Sequence, residues 1–256
     1  MPLRLVLRFP PLERLVFNFA LRAVMPVQMC VVMRARYAEE ALERAIADGV
    51  RQYVIIGAGM DSFAFRRPDL LQRIDSFEID HPVTQGRKLR RIRRARLSLP
   101  SNHRFVAADL SQVSIVDALA GSGFDRSAPT FMSLLGVAYY LTPDTLAATA
   151  GFLAKELEPG TRLVIDYLLD EDSCDPSHLG LRQKMLEFVE GRGEPMRGSY
   201  SIDGMNRLMS SAGLEPVEHF PITDLAESYL VDSGPAPFEV PGIFGFATFE
   251  VAGCQS

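Results

Sequence analysis

Gly57 and Gly59 sit directly after the apolar run Tyr53-Val54-Ile55-Ile56 and ahead of a stretch able to start a helix. Without β-carbons the backbone can turn tightly there, and a ligand can approach it closely. A dinucleotide fingerprint wants a third glycine at the next helical turn, for packing around a pyrophosphate. The chain has Ser62 at that place. Asp80 closes the run Ser76-Phe77-Glu78-Ile79. It lies about twenty residues past the loop, near the spacing of an acid that accepts hydrogen bonds from ribose hydroxyls. Glu78 shares a strand face with Asp80 by the two-residue period. Asp109 follows Phe105-Val106-Ala107-Ala108. It could accept from an adenine amine while Leu110 packs on the ring, although an aspartate after a strand is equally a helix cap.

This set points to a nucleoside cofactor without a pyrophosphate, such as S-adenosylmethionine. A glycine turn that merely ends a strand is the plain alternative. A nicotinamide-dependent reductase is disfavoured by Ser62 and by the lack of a Tyr-x-x-x-Lys pair. His81, Tyr139 and Tyr140 stand near strand ends and are the candidates for a general base. Tyr139 and Tyr140 equally suit a packing or pocket-shaping role. No metal site is expected. Cys30, Cys174 and Cys254 are far apart, the four histidines do not cluster, and Cys174, Asp175 and His178 lack a metal-ligand spacing.

The elements that must position these residues alternate. Strand-length apolar runs at 53–56, 76–79, 105–108, 130–134 and 163–165 are separated by stretches long enough for crossover helices. Such alternation predicts an α/β fold with a mainly parallel sheet covered on both faces. Leu12 to Asp48 reads as helix, stopped by Asp48-Gly49. Residues of about 1–50 are expected to form a helical lid, with Leu15–Met33 a buried or lid-like segment and a membrane-surface role the weaker alternative. Residues of about 168–200 read as an insertion with a helical piece at Leu181–Glu190. Ser201–Ala212 reads as a helix with Ser201 as N-cap and Gly213 as stop. Two final strands are expected near 215–220 and 243–251. The whole is read as one domain, 1–256.

The chain has 256 residues, is 47% hydrophobic and carries a formal net charge of -5. A large core is therefore available, and general nucleic-acid binding, which needs a positive field, is disfavoured. The apolar stretch Leu15–Met33 contains Asn18, Arg22, Pro26 and Gln28, which argues against a membrane span. With no secretory signal standing out, the cytoplasm is the expected compartment. Arg87, Lys88, Arg90, Arg91, Arg93, Arg94 and Arg96 crowd one expected helix. A solvated face is the plain reading, and docking of an acidic carrier protein is the sharper one.

Taken together, Arg34-Ala35-Arg36-Tyr37, Gly57-Ala58-Gly59-Met60-Asp61-Ser62, Phe77-Glu78-Ile79-Asp80-His81-Pro82, Asp109-Leu110 and Gly136-Val137-Ala138-Tyr139-Tyr140-Leu141 resemble the leucine carboxyl methyltransferase family. The resemblance runs from about Arg34 to Tyr167. It implies a Rossmann-like class I methyltransferase, with a central seven-stranded, mostly parallel sheet flanked by helices and one antiparallel strand near the C-terminus. It implies S-adenosyl-L-methionine as cofactor. Arg34 would bind the cofactor carboxylate, Gly57 and Gly59 line the methionine portion, Asp80 bind the ribose, and Asp109 and Leu110 flank the adenine. Ala58, Asp61, His81, Leu135 and Gly136 complete the expected cofactor-binding set. His81 and Tyr140 are the candidate catalytic residues.

The implied activity is O-methylation of a small-molecule carboxylate or hydroxyl in bacterial natural-product biosynthesis. Carboxyl methylation of a protein or carrier-bound acid is the alternative, as is a homologue that binds the cofactor without transferring methyl. The chain departs from relatives at Phe63, where Arg is frequent, at His81, where Gln is common, and at Leu135, where Glu often precedes the glycine.

Overall fold

The computed structural model describes residues 10–230 and 240–253, with side chains described from residue 28. The five apolar runs form β1 (Gln52–Ile56), β2 (Asp75–Asp80), β3 (His103–Ala107), β4 (Thr130–Leu134) and β5 (Arg162–Leu168). β1 and β4 are buried along their whole length, which is why they read as mainly apolar runs and not as alternating ones. β6 (Leu214–Pro221) and β7 (Phe244–Val251) follow. Among the described residues these strands make one seven-stranded sheet in the order β3-β2-β1-β4-β5-β7-β6. β1 to β5 pair in parallel, and β7 runs antiparallel to both β5 and β6. The single reversed strand matches the expectation. Strand order turns at β1, between β2 and β4, so the crevice beyond its carboxyl end is where an open α/β sheet binds ligands.

The first helix, α1 (Pro10–Ala47), ends as expected. Asp48 N donates to Arg44 O at 3.0 Å, and Gly49 takes φ +105°. From Cys30 onward one face of this helix packs into the core. Cys30, Met33, Tyr37, Leu42, Ala45 and Ile46 are buried, spaced to form one stripe against the sheet. Tyr37 fixes the contact, its hydroxyl 2.6 Å from Thr248 Oγ1 and its ring edge-on to Phe220 with centroids 5.0 Å apart. Residues 1–9 of the expected lid lie outside the described residues. No helix among the described residues is long and apolar enough to cross a membrane.

Short helices α2 (Phe63–Arg66) and α3 (Pro68–Leu71) lead from the glycine loop to β2, and α4 (Pro82–Ala95) leads from β2 to β3. α5 (Ile115–Leu119) precedes β4, and α6 (Pro143–Glu156) precedes β5. The insertion after β5 holds a 3-10 turn (Pro176–His178) and α7 (Leu179–Glu190). It returns beside the sheet through Tyr200 N, which donates to Leu168 O at 3.0 Å. α8 (Ile202–Ser211) starts on Ser201 Oγ, which accepts from Gly204 N at 3.0 Å, and Gly213 at φ +92° follows it. α9 (Ile222–Leu230) completes the order before β7.

Candidate active site

The loop after β1 has the backbone that its glycines allow. Gly57 and Gly59 adopt φ +67° and +53°, a region costly for residues with a β-carbon. A β-carbon on Gly57 would also lie 2.7 Å from Val137 Cγ2. Asp80 ties this loop to β2. Its Oδ2 accepts from Gly59 N at 2.5 Å and its Oδ1 from His81 N at 2.6 Å. Each carboxylate oxygen keeps a further lone pair. Asp61 Oδ1 accepts from Phe63 N at 2.6 Å and so starts α2.

Two cavities flank the loop. One, of about 400 Å³, is lined by Ala35, Gly57, Gly59, Asp61, Leu135 and Gly136, among others. The other, of about 410 Å³, is lined by Leu110, Ser111, Val113, Leu134 and Val137, with Ile56 common to both. Leu110 therefore sits where an adenine ring could pack. Asp109 does not line either cavity. It accepts from Ser111 Oγ at 2.7 Å and Ser111 N at 3.0 Å, and these bonds hold its carboxyl below the usual range.

Arg34 reaches the first cavity from α1. Its Nη1 donates to Asp166 Oδ2 at 3.2 Å and lies 3.5 Å from the Tyr139 hydroxyl. Gly136, at φ +74°, makes room for it, since a β-carbon there would lie 3.0 Å from both terminal nitrogens of Arg34. Gly136 N also donates to Asp166 Oδ1 at 2.5 Å. Asp166, on β5, is 2% exposed. Desolvation raises its carboxyl, against the opposing pull of Arg34 and the Gly136 N–H. Burial alone would lower the Arg34 guanidinium, but Asp166 and Tyr139 more than reverse this.

A third cavity, of about 490 Å³, lies on the other side of Arg34 and shares Val31 and Arg34 with the first. Its walls are apolar and aromatic. Phe244 and Phe246 come from β7, Met185, Phe188 and Val189 from α7, and Met196 from the following loop. Tyr139, Tyr140 and Asp166 line it, and so do Cys30 and Lys184. Phe188 is 59% exposed and Leu181 39% exposed, so the α7 side forms the mouth. A pocket of apolar walls with a few convergent polar groups suits a small organic ligand.

The structure thus gathers Arg34, Gly57, Ala58, Gly59, Asp61, Leu135 and Gly136 around one cavity. It places Tyr140 in the wall of the apolar one and His81 in neither. His81 caps α4, its Nδ1 accepting from Val83 N at 3.3 Å, and its Nε2 stands 4.0 Å from Asp109 Oδ2. The imidazole does not line the apolar cavity. Asp166 was not singled out from the sequence. The available signal was an acid inside the otherwise apolar run Leu163-Val164-Ile165-Asp166-Tyr167-Leu168, because a buried acid requires partners. Lys88 leaves the basic cluster, since it is buried against the Glu78 carboxylate. The six arginines of that cluster remain exposed. Asp175 caps the 3-10 turn by accepting from Ser177 N at 2.8 Å. No metal-binding group of His, Cys, Asp or Glu forms among the described residues. Cys254 lies outside the described residues.

The sheet order, the reversed β7 and the glycine loop beneath a crevice define the class I S-adenosylmethionine-dependent methyltransferase fold. Solved structures share it. A candidate methyltransferase from Thermobifida fusca aligns with TM-score 0.66 at 17% identity, covering 94% of this chain and 89% of that one. Magnesium protoporphyrin IX methyltransferase from Synechocystis, solved with bound S-adenosylhomocysteine, aligns with TM-score 0.53 at 12% identity, covering 86% of this chain and 84% of that one.

The leucine carboxyl methyltransferase family model matches residues 18–154, and the chain belongs to that family. S-adenosylmethionine is the family's cofactor. The candidate S-adenosylmethionine-dependent methyltransferase YktD of Bacillus subtilis is 35% identical over 77% of this chain and 64% of its own length. A Streptomyces coelicolor relative of the same description is 33% identical over 56% of this chain and 50% of its own. The chain therefore spans between half and about two thirds of the length of these curated relatives.

Proposed function

We propose that this chain transfers a methyl group from S-adenosylmethionine to an oxygen atom of a small apolar acceptor, in the setting of bacterial natural-product biosynthesis. The observation that carries the reading is the meeting of two unlike cavities at one wall, Val31 and Arg34. The glycine-loop cavity has the backbone clearance and donor set for the cofactor. Arg34 would grip its carboxylate, a task suited to a guanidinium. Gly57 and Gly59 would line its methionine portion, Asp80 would accept from its ribose hydroxyls, and Leu110 would pack on its adenine. The bound cofactor supplies a methyl carbon already activated by a sulfonium. The protein's own contribution is alignment and exclusion of water. Arg34 anchors the donor side, while the walls from α7 and β7 enclose the acceptor.

Titration calorimetry and radiolabelled methyl transfer test this reading. S-adenosylmethionine and S-adenosylhomocysteine should bind saturably, and nicotinamide dinucleotides should not. Saturable binding of a nicotinamide cofactor, with none of S-adenosylmethionine, would overturn it.

A further inference from the structure

We propose that the acceptor presents a neutral phenolic hydroxyl, and not a carboxylate, to the deep end of the apolar cavity, where Asp166 receives its proton as the methyl group moves. The inference rests on the reading that methyl transfer takes place at the wall shared by the two cavities.

The charges at that wall decide between the acceptor classes. Asp166 is faced by Arg34 and Cys30 from α1, by Tyr139 and Tyr140 from the turn after β4, by the Gly136 N–H, and by Lys184 across the cavity. Burial pushes the Cys30 thiol up to about 12 and raises the Tyr139 phenol, so both are neutral at physiological pH. Burial and the charge of Glu194 raise Tyr140 in the same way. Among the described residues that line this cavity Asp166 is the one carboxylate, and Arg34 is the cation beside it. Lys184 is exposed, on the helix that forms the mouth.

A carboxylate acceptor would bring a third anion to this wall, after Asp166 and the cofactor's own carboxylate, with Arg34 already shared between those two. A hydroxyl meets the opposite situation. Each oxygen of Asp166 accepts one hydrogen bond, from Arg34 Nη1 or Gly136 N, and keeps a lone pair for a further donor. The acid is held in place from two sides, as a general base must be. The apolar and aromatic walls of Met185, Phe188, Met196 and Phe244 suit an aryl ring behind that hydroxyl.

In the step itself, the acceptor oxygen bonds to the methyl carbon as the carbon–sulfur bond breaks, its electron pair passing to sulfur. The oxygen–hydrogen bond breaks and its proton passes to the Asp166 carboxylate, which later returns it to solvent.

Calorimetric titration of the full chain with 2-naphthol and 2-naphthoate, which share one ring system, tests the charge argument without catalysis. The wild type should bind 2-naphthol about tenfold more tightly or better. Asp166→Asn removes the anion and leaves Arg34, so this preference should fall by about tenfold or reverse. A wild type that binds 2-naphthoate equally or more tightly overturns the proposal, and so does a variant with an unchanged preference.

Labelled transfer is the second measurement. Methyl should reach 2-naphthol. At neutral pH the variant should lose roughly 10²–10⁴ in rate, with the defect shrinking as pH approaches the acceptor's own pKa. If Asp166→Asn fails to melt cooperatively, the wild-type preference and acceptor choice decide. Methylation of 2-naphthoate alone would overturn the hydroxyl assignment and leave the proposed methyl transfer standing. Selective binding of 2-naphthol with methyl reaching neither compound would overturn methyl transfer and the proton step with it.

Discussion

The two cavities that meet at Arg34 are built by different means. The glycine-loop wall is mostly backbone and strand ends: the turn after β1, tied from behind by the Asp80 carboxylate on Gly59 N, and Gly136 with its N–H on Asp166. Each piece comes from the parallel half of the sheet, where strand register places it. The apolar wall is mostly side chain, from α7, the loop after it and β7. A wall of backbone tolerates little change at Gly57 and Gly136, where a β-carbon would run into Val137 and Arg34. A wall of half-exposed side chains can change its shape while the sheet stays the same, which is why insertions so often carry specificity.

The contrast can be broken at three positions, in descending order of effect. Gly57→Val puts a β-branched residue at φ +67° and drives its β-carbon into Val137. Strain and overpacking together should remove about 2–5 kcal/mol of stability. For a domain of this size that lowers the melting temperature by on the order of 10 °C. Scanning calorimetry reads this directly, and a melting point within a degree or two of wild type would mean the wall is softer than its backbone suggests.

Asp80→Ala should leave the fold intact and weaken S-adenosylmethionine binding. Lost hydrogen bonds to a charged group amount to about 1.5–3 kcal/mol, or ten- to a hundredfold in dissociation constant. An unchanged constant would confine Asp80 to tying the loop.

The smallest effect belongs to the other wall. Phe188 is largely exposed at the mouth, so Phe188→Ala should leave the melting temperature and cofactor affinity unchanged. It should weaken 2-naphthol binding by about three- to tenfold, the loss of part of one aromatic contact. A loss of cofactor affinity in this variant would contradict the separation of the two walls.

How much was legible in the chain follows the same division. The strands could be read from mainly apolar runs, and the glycine loop, Asp80 and Leu110 from local spacing relative to those strands. α8 was legible from Ser201 and Gly213 because caps are local signals. Local logic also has a limit at His81. Its position beside a strand end suggests a base, while the structure shows its ring capping α4 from the N-cap position, a role that spacing alone does not reveal. Lys88 likewise looked like one more surface cation, until helix periodicity turned it inward onto Glu78. Asp166 could be seen as an acid in an apolar strand, but its partners, Arg34 and Gly136, are 132 and 30 residues away in sequence.

The sequence alone determined the order of strands and helices, the parallel α/β class, and the loop able to receive a nucleoside cofactor, because each depends on periodicity and on residues close together in the chain. Only the tertiary structure decided that the second half of α1 is a core wall, that Arg34 pairs with Asp166 beneath Gly136, and that α7 closes an apolar cavity against β7. Those are contacts between distant segments, and their partners become known only once the sheet has set the distances between them.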